Sequence, residues 1–171
     1  KAVMDFLFDV VGVNRIESNH DPKNPNSGKV MEKCGMKKKL KLGDIYEIPL
    51  PNGKNAYGRL FKEYTLAIYC GIYNDISELP DTVSYYRFIC VYEDLLCDGK
   101  WKVVGHKGFK NADEAWAPPK CVIDKITGKG SIYYKGEIRS CLYDECKNLE
   151  IAAVWDRHHV IDMLMDNPKW G

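Results

Sequence analysis

The residues that could perform catalysis are four histidines, seven cysteines and several adjacent carboxylates. A cysteine nucleophile needs a histidine base that a third group holds in place, and no spacing in this chain predicts such an arrangement. His106 follows Val104-Gly105 at the expected end of a strand, where capping the strand or touching a partner is favoured over acting as a base. Glu93-Asp94 and Asp144-Glu145 are neighbours in sequence, so their side chains should point apart into solvent. With no phosphate-binding glycine loop either, the sequence predicts no catalytic centre.

The cysteines and histidines could also bind a metal ion, and the cysteines could form disulfides. Cys141 and Cys146 with His158 and His159 are a candidate metal cluster, but their spacings fit no zinc pattern, and buried thiols with surface histidines are favoured. The odd number of cysteines and the lack of C-x-x-C and signal-peptide patterns favour reduced thiols in a cytoplasmic protein. No apolar run approaches the ~20 residues of a membrane helix, and a net charge of +1 does not favour direct nucleic-acid binding.

The N-terminal part of the chain is predicted to hold a helix, a short strand and a second helix, at 1–11, 14–19 and 27–34. Gly12 is the expected stop of the first helix, and Asn26 or Ser27 is the expected N-cap of the second. Gly35 is its expected C′ residue. A lysine-rich run at 37–41 follows, and a solvated linker is favoured there over a nucleic-acid patch. We therefore expect two domains, 1–38 and 39–171.

The second part has the pattern of many short strands. They are predicted at 45–48, 56–60, 64–73, 83–92, 101–104, 122–126, 132–134 and 151–155. Prolines after the first strand place it at a sheet edge, and Gly58 predicts a bulge or a close backbone approach. Asp156 can cap a short final helix. The expected fold class is α+β, a mostly-β curved sheet or small barrel with a short C-terminal helix, preceded by the helix-strand-helix fragment.

Three stretches occur in an order that resembles the immunity protein 26 family of bacterial polymorphic toxin systems. They are 42–60 (LGDIYEIPLPNGKNAYGRL), 99–106 (GKWKVVGH) and 153–160, where AVW is followed by HV. The resemblance covers about residues 39–170. It implies a cytoplasmic immunity protein that binds and neutralises a cognate toxin, with no cofactor, no nucleic acid and no membrane as direct partner.

Residues 1–37 carry a second resemblance, to the C-terminal half of a GNAT-type N-acetyltransferase. Its markers are NRIE, HDPKNPNS and a helix that ends in KCGM. By this resemblance Asn24 and Ser27 would lie beside the acetyl-CoA arm. The glycine-rich loop that holds the CoA pyrophosphate should precede Lys1, so we expect the chain as given not to bind acetyl-CoA. Two alternatives stay open: the chain is the C-terminal part of an acetyltransferase fused to an immunity-like domain, or a β-rich interaction module unrelated to toxins.

A toxin-binding surface is expected where carboxylates cluster, because many toxins of these systems are nucleases with basic sites. The loop 74–81 brings three acidic residues together without a base, and the turn 93–98 would share its edge if the intervening strands are neighbours. Trp116 is an aromatic candidate, for which core and interface are weighed equally. The candidate toxin-binding residues are Asp75, Glu78, Asp81, Glu93, Asp94, Asp98 and Trp116. Solvated loop carboxylates without a partner are the competing interpretation.

Overall fold

The computed structural model describes residues 2–18, 24–36, 39–80, 84–124 and 128–167. The chain divides into two compact units, residues 1–39 and 40–171. Among the described residues of the first unit are two helices, α1 (Ala2–Asp9) and α2 (Pro25–Lys33). No described helix of the chain has the length and apolar character needed to cross a membrane.

Helix α2 begins earlier than the sequence predicts. Asn24 is its N-cap residue, so the expectation of Asn26 or Ser27 is wrong. The cause is Pro25, whose fixed φ and missing N–H suit the first position of a helix. Gly35 follows the helix with a φ of +83°, which confirms the predicted C′ glycine.

The predicted strand at 14–19 is wrong over its described residues, 14–18, which are irregular. A strand needs a hydrogen-bonded neighbour, and no other described segment of the first unit is a strand. Arg15 and Glu17 form an exposed ion pair within this irregular segment.

The described part of the second unit contains nine strands and three α-helices. The strands are β1 (Asp44–Pro49), β2 (Asn55–Leu60), β3 (Thr65–Tyr69), β4 (Tyr85–Val91), β5 (Lys102–His106), β6 (Lys120–Ile123), β7 (Gly130–Tyr134), β8 (Glu137–Cys141) and β9 (Val154–Trp155). The helices are α3 (Glu93–Cys97), α4 (Tyr143–Cys146) and α5 (Arg157–Met165), and a 3₁₀ turn covers Ile76–Glu78. The predicted α+β, mostly-β class is confirmed.

The strands form two open sheets over the described residues. One has the order β5-β1-β2-β3-β4-β9 and the other the order β6-β7-β8. The segment 150–155 connects them: Ile151 makes a parallel bridge with Cys121 of β6, and β9 pairs in parallel with β4. The barrel alternative therefore does not apply, because the outer strand β5 is hydrogen-bonded to β1 and to no other described strand.

Strand β1 is not at a sheet edge, contrary to the prediction from its prolines. It pairs with β2 on one side and with β5 on the other. Pro49 is tolerated because the β5 pairing extends only to Glu47, so Pro49 has a single neighbour, Asn55 of β2. At Gly58 the close-approach alternative is the correct one: an added Cβ would lie 3.2 Å from Ile68 Cδ1.

The main core lies where α3 and α5 pack on the six-stranded sheet. Leu95 and Leu96 of α3 and Val160 and Leu164 of α5 are buried there beside Trp101, which confirms the predicted core role of this tryptophan. Each such side chain stabilises the fold by roughly 1.5–3 kcal/mol. The predicted cap of the final helix is also confirmed, since Asp156 Oδ1 accepts the His159 N–H at 2.9 Å.

Candidate binding site

Two sequence markers meet at one end of the large sheet. Asp44 and His106 are register partners of β1 and β5, and His106 Nδ1 lies 2.9 Å from Asp44 Oδ1. Next to them Gly43 has a φ of +92°, and its C=O accepts the Lys107 N–H at 2.8 Å. An added Cβ at Gly43 would lie 2.4 Å from the Lys107 oxygen. His106 thus joins the end of β5 to the start of β1.

The acidic loop after β3 is ordered by its own carboxylates. Asp75 Oδ1 accepts the Ser77 N–H at 2.9 Å and caps the 3₁₀ turn. Glu78 accepts the Asn74 N–H at 2.9 Å and its side-chain amide at 3.0 Å. These hydrogen bonds hold the two exposed carboxylates in place and lower their pKa, which favours the charged form. Asp81 lies outside the described residues.

Glu47 is a third carboxylate near this loop, and the sequence reasoning missed it. The Tyr57 hydroxyl of β2 donates to Glu47 Oε2 of β1 at 3.4 Å. Burial, together with the charges of Glu47, Asp75 and Glu78, raises the pKa of Tyr57 to about 12. The signal that could have found it is the hairpin register, which pairs Glu47 with Tyr57. We call Glu47, Asp75 and Glu78 the acidic cluster.

The second acidic group does not share this edge. Strands β3 and β4 are antiparallel neighbours joined by the acidic loop, whereas α3 follows the far end of β4. The acidic loop packs through Ile76 on the sheet face of Ile45 and Tyr57. Leu95 and Leu96 of α3 are buried in the main core, on the opposite face. Glu93 and Asp94 lie in the first turn of α3, and Asp98 pairs with Arg157 of α5. The expectation of one shared acidic rim is therefore wrong.

Trp116 lines a groove of about 370 Å³ between the two sheets. We call this feature the inter-sheet groove. Its wall is largely apolar and aromatic, with three lysines and one glutamate among the lining residues. They are Lys62, Glu63, Thr65, Cys90, Trp116, Ala117, Pro118, Lys120, Val122, Tyr133, Tyr134, Lys135, Ala152, Ala153 and Val154. Trp116 is half-buried, with the Lys62 Nζ 4.4 Å from its ring centre.

Two tight hairpin turns form the rim of this groove. Glu63 and Tyr64, between β2 and β3, have φ values of 55° and 52°, and Lys135, between β7 and β8, has 54°. These are the non-glycine residues with positive φ in the described chain. The turns are connected, because a hydrogen bond between Glu63 and Tyr133 is the largest cause that raises the pKa of Tyr133 to about 12.

The lysines of the groove differ in their partners. Lys120 is buried, and its Nζ donates to the Phe88 carbonyl and lies 2.8 Å from Glu150 Oε2. Lys135 Nζ lies 2.6 Å from Asp113 Oδ1. No ion pair among the described residues includes Lys62, although its charge contributes to the lowered pKa of Asp113. Lys62 therefore offers its ammonium group at the mouth of the groove.

Asn24 and Ser27, the residues that the GNAT resemblance places beside the acetyl-CoA arm, lie at the start of α2. Asn24 is exposed and its side chain makes no capping bond, while the Ser27 N–H donates to the Asn24 carbonyl at 3.3 Å.

The cysteines of the smaller sheet form a buried contact cluster. Cys121 and Cys146 are buried and pack with Cys141. Burial and the Cys146 thiol raise the pKa of both Cys121 and Cys141, which keeps these thiols protonated. Within the described part of the chain, no group of three or more histidine, cysteine, aspartate or glutamate side chains has the arrangement to hold a metal ion.

These features define an α+β protein whose β-rich unit carries an aromatic groove between two open sheets. A family model described as Immunity protein 26 matches residues 41–131, and the chain belongs to this family. Residues 1–37 match the model of an acetyltransferase (GNAT) domain, so both resemblances are confirmed. The family match ends before β8, so the marker at 153–160 lies beyond it. Searches of curated proteins and of solved structures give no match.

Proposed function

We propose that this chain is an immunity protein that neutralises a cognate toxin in the bacterial cytoplasm by binding it, without catalysis. The observation that carries the proposal is membership of the Immunity protein 26 family, through residues that build β1 to β6 and the start of β7. Two surfaces of the second unit support a binding role: the acidic cluster, in which hydrogen bonds hold the exposed carboxylates of Asp75 and Glu78, and the inter-sheet groove, with its aromatic wall.

The experiment pairs the purified full chain with the toxin domain encoded beside its gene. We expect a stable complex by size-exclusion chromatography and calorimetry, and we expect the toxin released from it to have an unchanged mass and restored activity. Absence of a complex would contradict the proposal. A toxin that is covalently modified after mixing would indicate that the chain acts by catalysis and not by binding.

A nuclease is the toxin class that the acidic cluster supports. Nuclease sites are basic because their substrate is a polyanion, and carboxylates on the inhibitor speed association with such a site. The test is Asp75→Asn with Glu78→Gln, which removes two charges but keeps the hydrogen-bond acceptors. We expect the association rate at low salt to fall about tenfold and its salt dependence to weaken. Glu137→Gln with Asp162→Asn is the control with equal charge removed elsewhere on the exposed surface.

The remaining acidic candidates are proposed as a separate contact. Glu93 and Asp94 are exposed at the start of α3, after the end of β4 that lies away from the acidic loop. A variant that carries Glu93→Gln and Asp94→Asn should therefore change toxin association independently of the Asp75 and Glu78 variant. An unchanged association rate for each variant would remove that acidic group from the interface and leave the immunity assignment in place.

The GNAT match supports a second candidate, in which the parent polypeptide is an acetyl-CoA-dependent N-acetyltransferase and this chain is its C-terminal part. Because residues 1–37 contain no glycine-rich loop for the CoA pyrophosphate, we expect calorimetry of this chain with acetyl-CoA to give no saturable heat at millimolar ligand. Tight binding with a clear stoichiometry would favour the acetyltransferase. The control is the same titration with residues 40–171, from which the GNAT-matched segment is absent.

A further inference from the structure

The wall of the inter-sheet groove is suited to an apolar side chain of a partner. Trp116 and Tyr133 are half-buried and Pro118 lies beside them, while Val154 at the groove is 51% exposed. Tryptophan and tyrosine are the residues that most often anchor protein interfaces, because they bury a large area with few rotatable bonds. A volume of about 370 Å³ lies at the lower end of the range for ligand pockets and holds a few side chains.

The mouth of the groove is suited to a carboxylate. Lys62 and Lys135 both approach Asp113, and only Lys135 is in ion-pair contact with it. The Lys62 ammonium is instead held over the Trp116 ring, 4.4 Å from its centre. The apolar surface and the uncompensated positive charge are therefore adjacent, so one short segment can contact both.

Two hairpin turns at the rim of the groove are held by contacts with other elements. Glu63 and Lys135 lie in these turns with left-handed backbones, as two-residue hairpin turns require. Glu63 is hydrogen-bonded to Tyr133 of β7, and Lys135 forms an ion pair with Asp113. The groove is therefore preformed, which reduces the entropy lost on binding.

We propose that the inter-sheet groove receives an extended peptide segment of the toxin, which inserts an apolar side chain against Trp116 and places a carboxylate at Lys62. This inference rests on the proposed function and specifies its partner. The segment is chemically distinct from the basic site that the acidic cluster would face, so the two surfaces bind different parts of one toxin.

The experiment is selection of random dodecapeptides displayed on phage by the purified full chain. We expect enriched sequences with an aliphatic or aromatic residue near an aspartate or glutamate.

The binding of a selected peptide to variants of the chain identifies the residues that hold it. Trp116→Ala should weaken the affinity for the peptide about 30-fold or more, as expected for an interface anchor. Lys62→Met should weaken it about three- to fivefold and remove the preference for the acidic residue. Lys102→Met, an exposed lysine on the outer strand β5, should change neither.

Trp116→Phe is the control for loss of folding. It keeps an aromatic ring in the wall of the groove and should retain most of the affinity for the peptide. Three results would overturn the inference. They are no enrichment, enrichment of basic peptides, and selected peptides that bind the Lys62→Met and Trp116→Ala chains as tightly as the parent chain. If the toxin binds these two variants unchanged, the immunity proposal stands and the inference fails. If acidic apolar peptides bind but the neighbouring toxin does not, the immunity proposal fails and the groove assignment stands.

Discussion

His106 Nδ1 lies 2.9 Å from Asp44 Oδ1, although the two residues are 62 positions apart in the chain. The contact joins the first strand of the large sheet to its outer strand, β5, and Gly43 makes the approach possible. Two of the stretches that carry the family resemblance, at 42–60 and 99–106, are thus neighbours because β1 and β5 pair.

Gly43→Ala should destabilise the fold far more than the same change at Gly53. Both glycines have positive φ, +92° and +79°, so each alanine adds backbone strain of about 1 kcal/mol. At Gly43 the new Cβ would also lie 2.4 Å from the Lys107 oxygen, whereas at Gly53 the space is open. We expect an additional loss of about 2 kcal/mol or more at Gly43, measured by urea unfolding. Equal losses at the two positions would contradict this packing.

Tyr46→Phe should leave the protein as stable as before or stabilise it by about 1 kcal/mol. The Tyr46 hydroxyl is buried without a hydrogen-bond partner among the described residues, and burial raises the pKa of this tyrosine. Removing the hydroxyl removes a desolvated polar group. The control is Tyr57→Phe, which loses the hydrogen bond to Glu47 and should be mildly destabilising. A clear loss of unfolding free energy for Tyr46→Phe would indicate that this hydroxyl has a partner.

Asp98→Asn should reduce stability at neutral pH and have little effect in acid. Burial alone would raise the pKa of Asp98, but hydrogen bonds from the Lys100 N–H and Arg157, with the Arg157 charge, lower it below its ordinary 3.8. A lowered carboxyl pKa stabilises the fold above the unfolded-state value, and this contribution is lost as the pH falls through the folded-state value. We expect a difference of about 0.5–1 kcal/mol at pH 7.

Urea unfolding of the Asp98→Asn and parent chains at pH 7 and at about pH 3 checks this pH dependence. Asp162→Asn, at an exposed position of α5, is the control and should change the unfolding free energy little at either pH. A stability difference for Asp98→Asn that persists undiminished in acid would show that the ion pair with Arg157 is not its source.

Much of the fold follows from local pattern, because alternation, turn residues and caps act over a few positions. Asp156 and Gly35 were predicted as helix ends for that reason. What could not be predicted depends on distant contacts. Arg59, near the end of β2, is buried with its guanidinium donating to the carbonyls of Lys107 and Gly108, at 2.8 and 2.7 Å. No periodicity in β2 indicates a partner 48 residues away.

In the candidate site, too, some features follow from local sequence and others only from tertiary contacts. Loop composition identified the acidic residues Asp75 and Glu78, but only strand register adds Glu47 and separates the cluster from Glu93. The inter-sheet groove could not be predicted, because it is formed where the segment 150–155 joins two sheets. Trp116 was selected as an aromatic in a proline-rich loop, and its position beside Lys62 is a product of tertiary structure.

Residues 40–171 should fold without the preceding unit. The buried hydrophobic residues of the described chain lie between Ile45 and Leu164, so the first unit contributes none of them. We expect limited proteolysis to cut within 37–41 and to leave a resistant C-terminal fragment whose unfolding midpoint equals that of the full chain. An insoluble or non-cooperative fragment would mean that residues 1–39 are part of the folding unit.

Titration of toxin activity with the purified chain tests the central claim most directly. An inhibitor that acts by binding removes activity in proportion to its amount, so residual toxin activity should fall linearly and reach zero near one chain per toxin. Trp116→Ala should raise the amount needed, and Lys102→Met should not. No inhibition at excess chain, or complete inactivation at far less than one chain per toxin, would contradict neutralisation by binding.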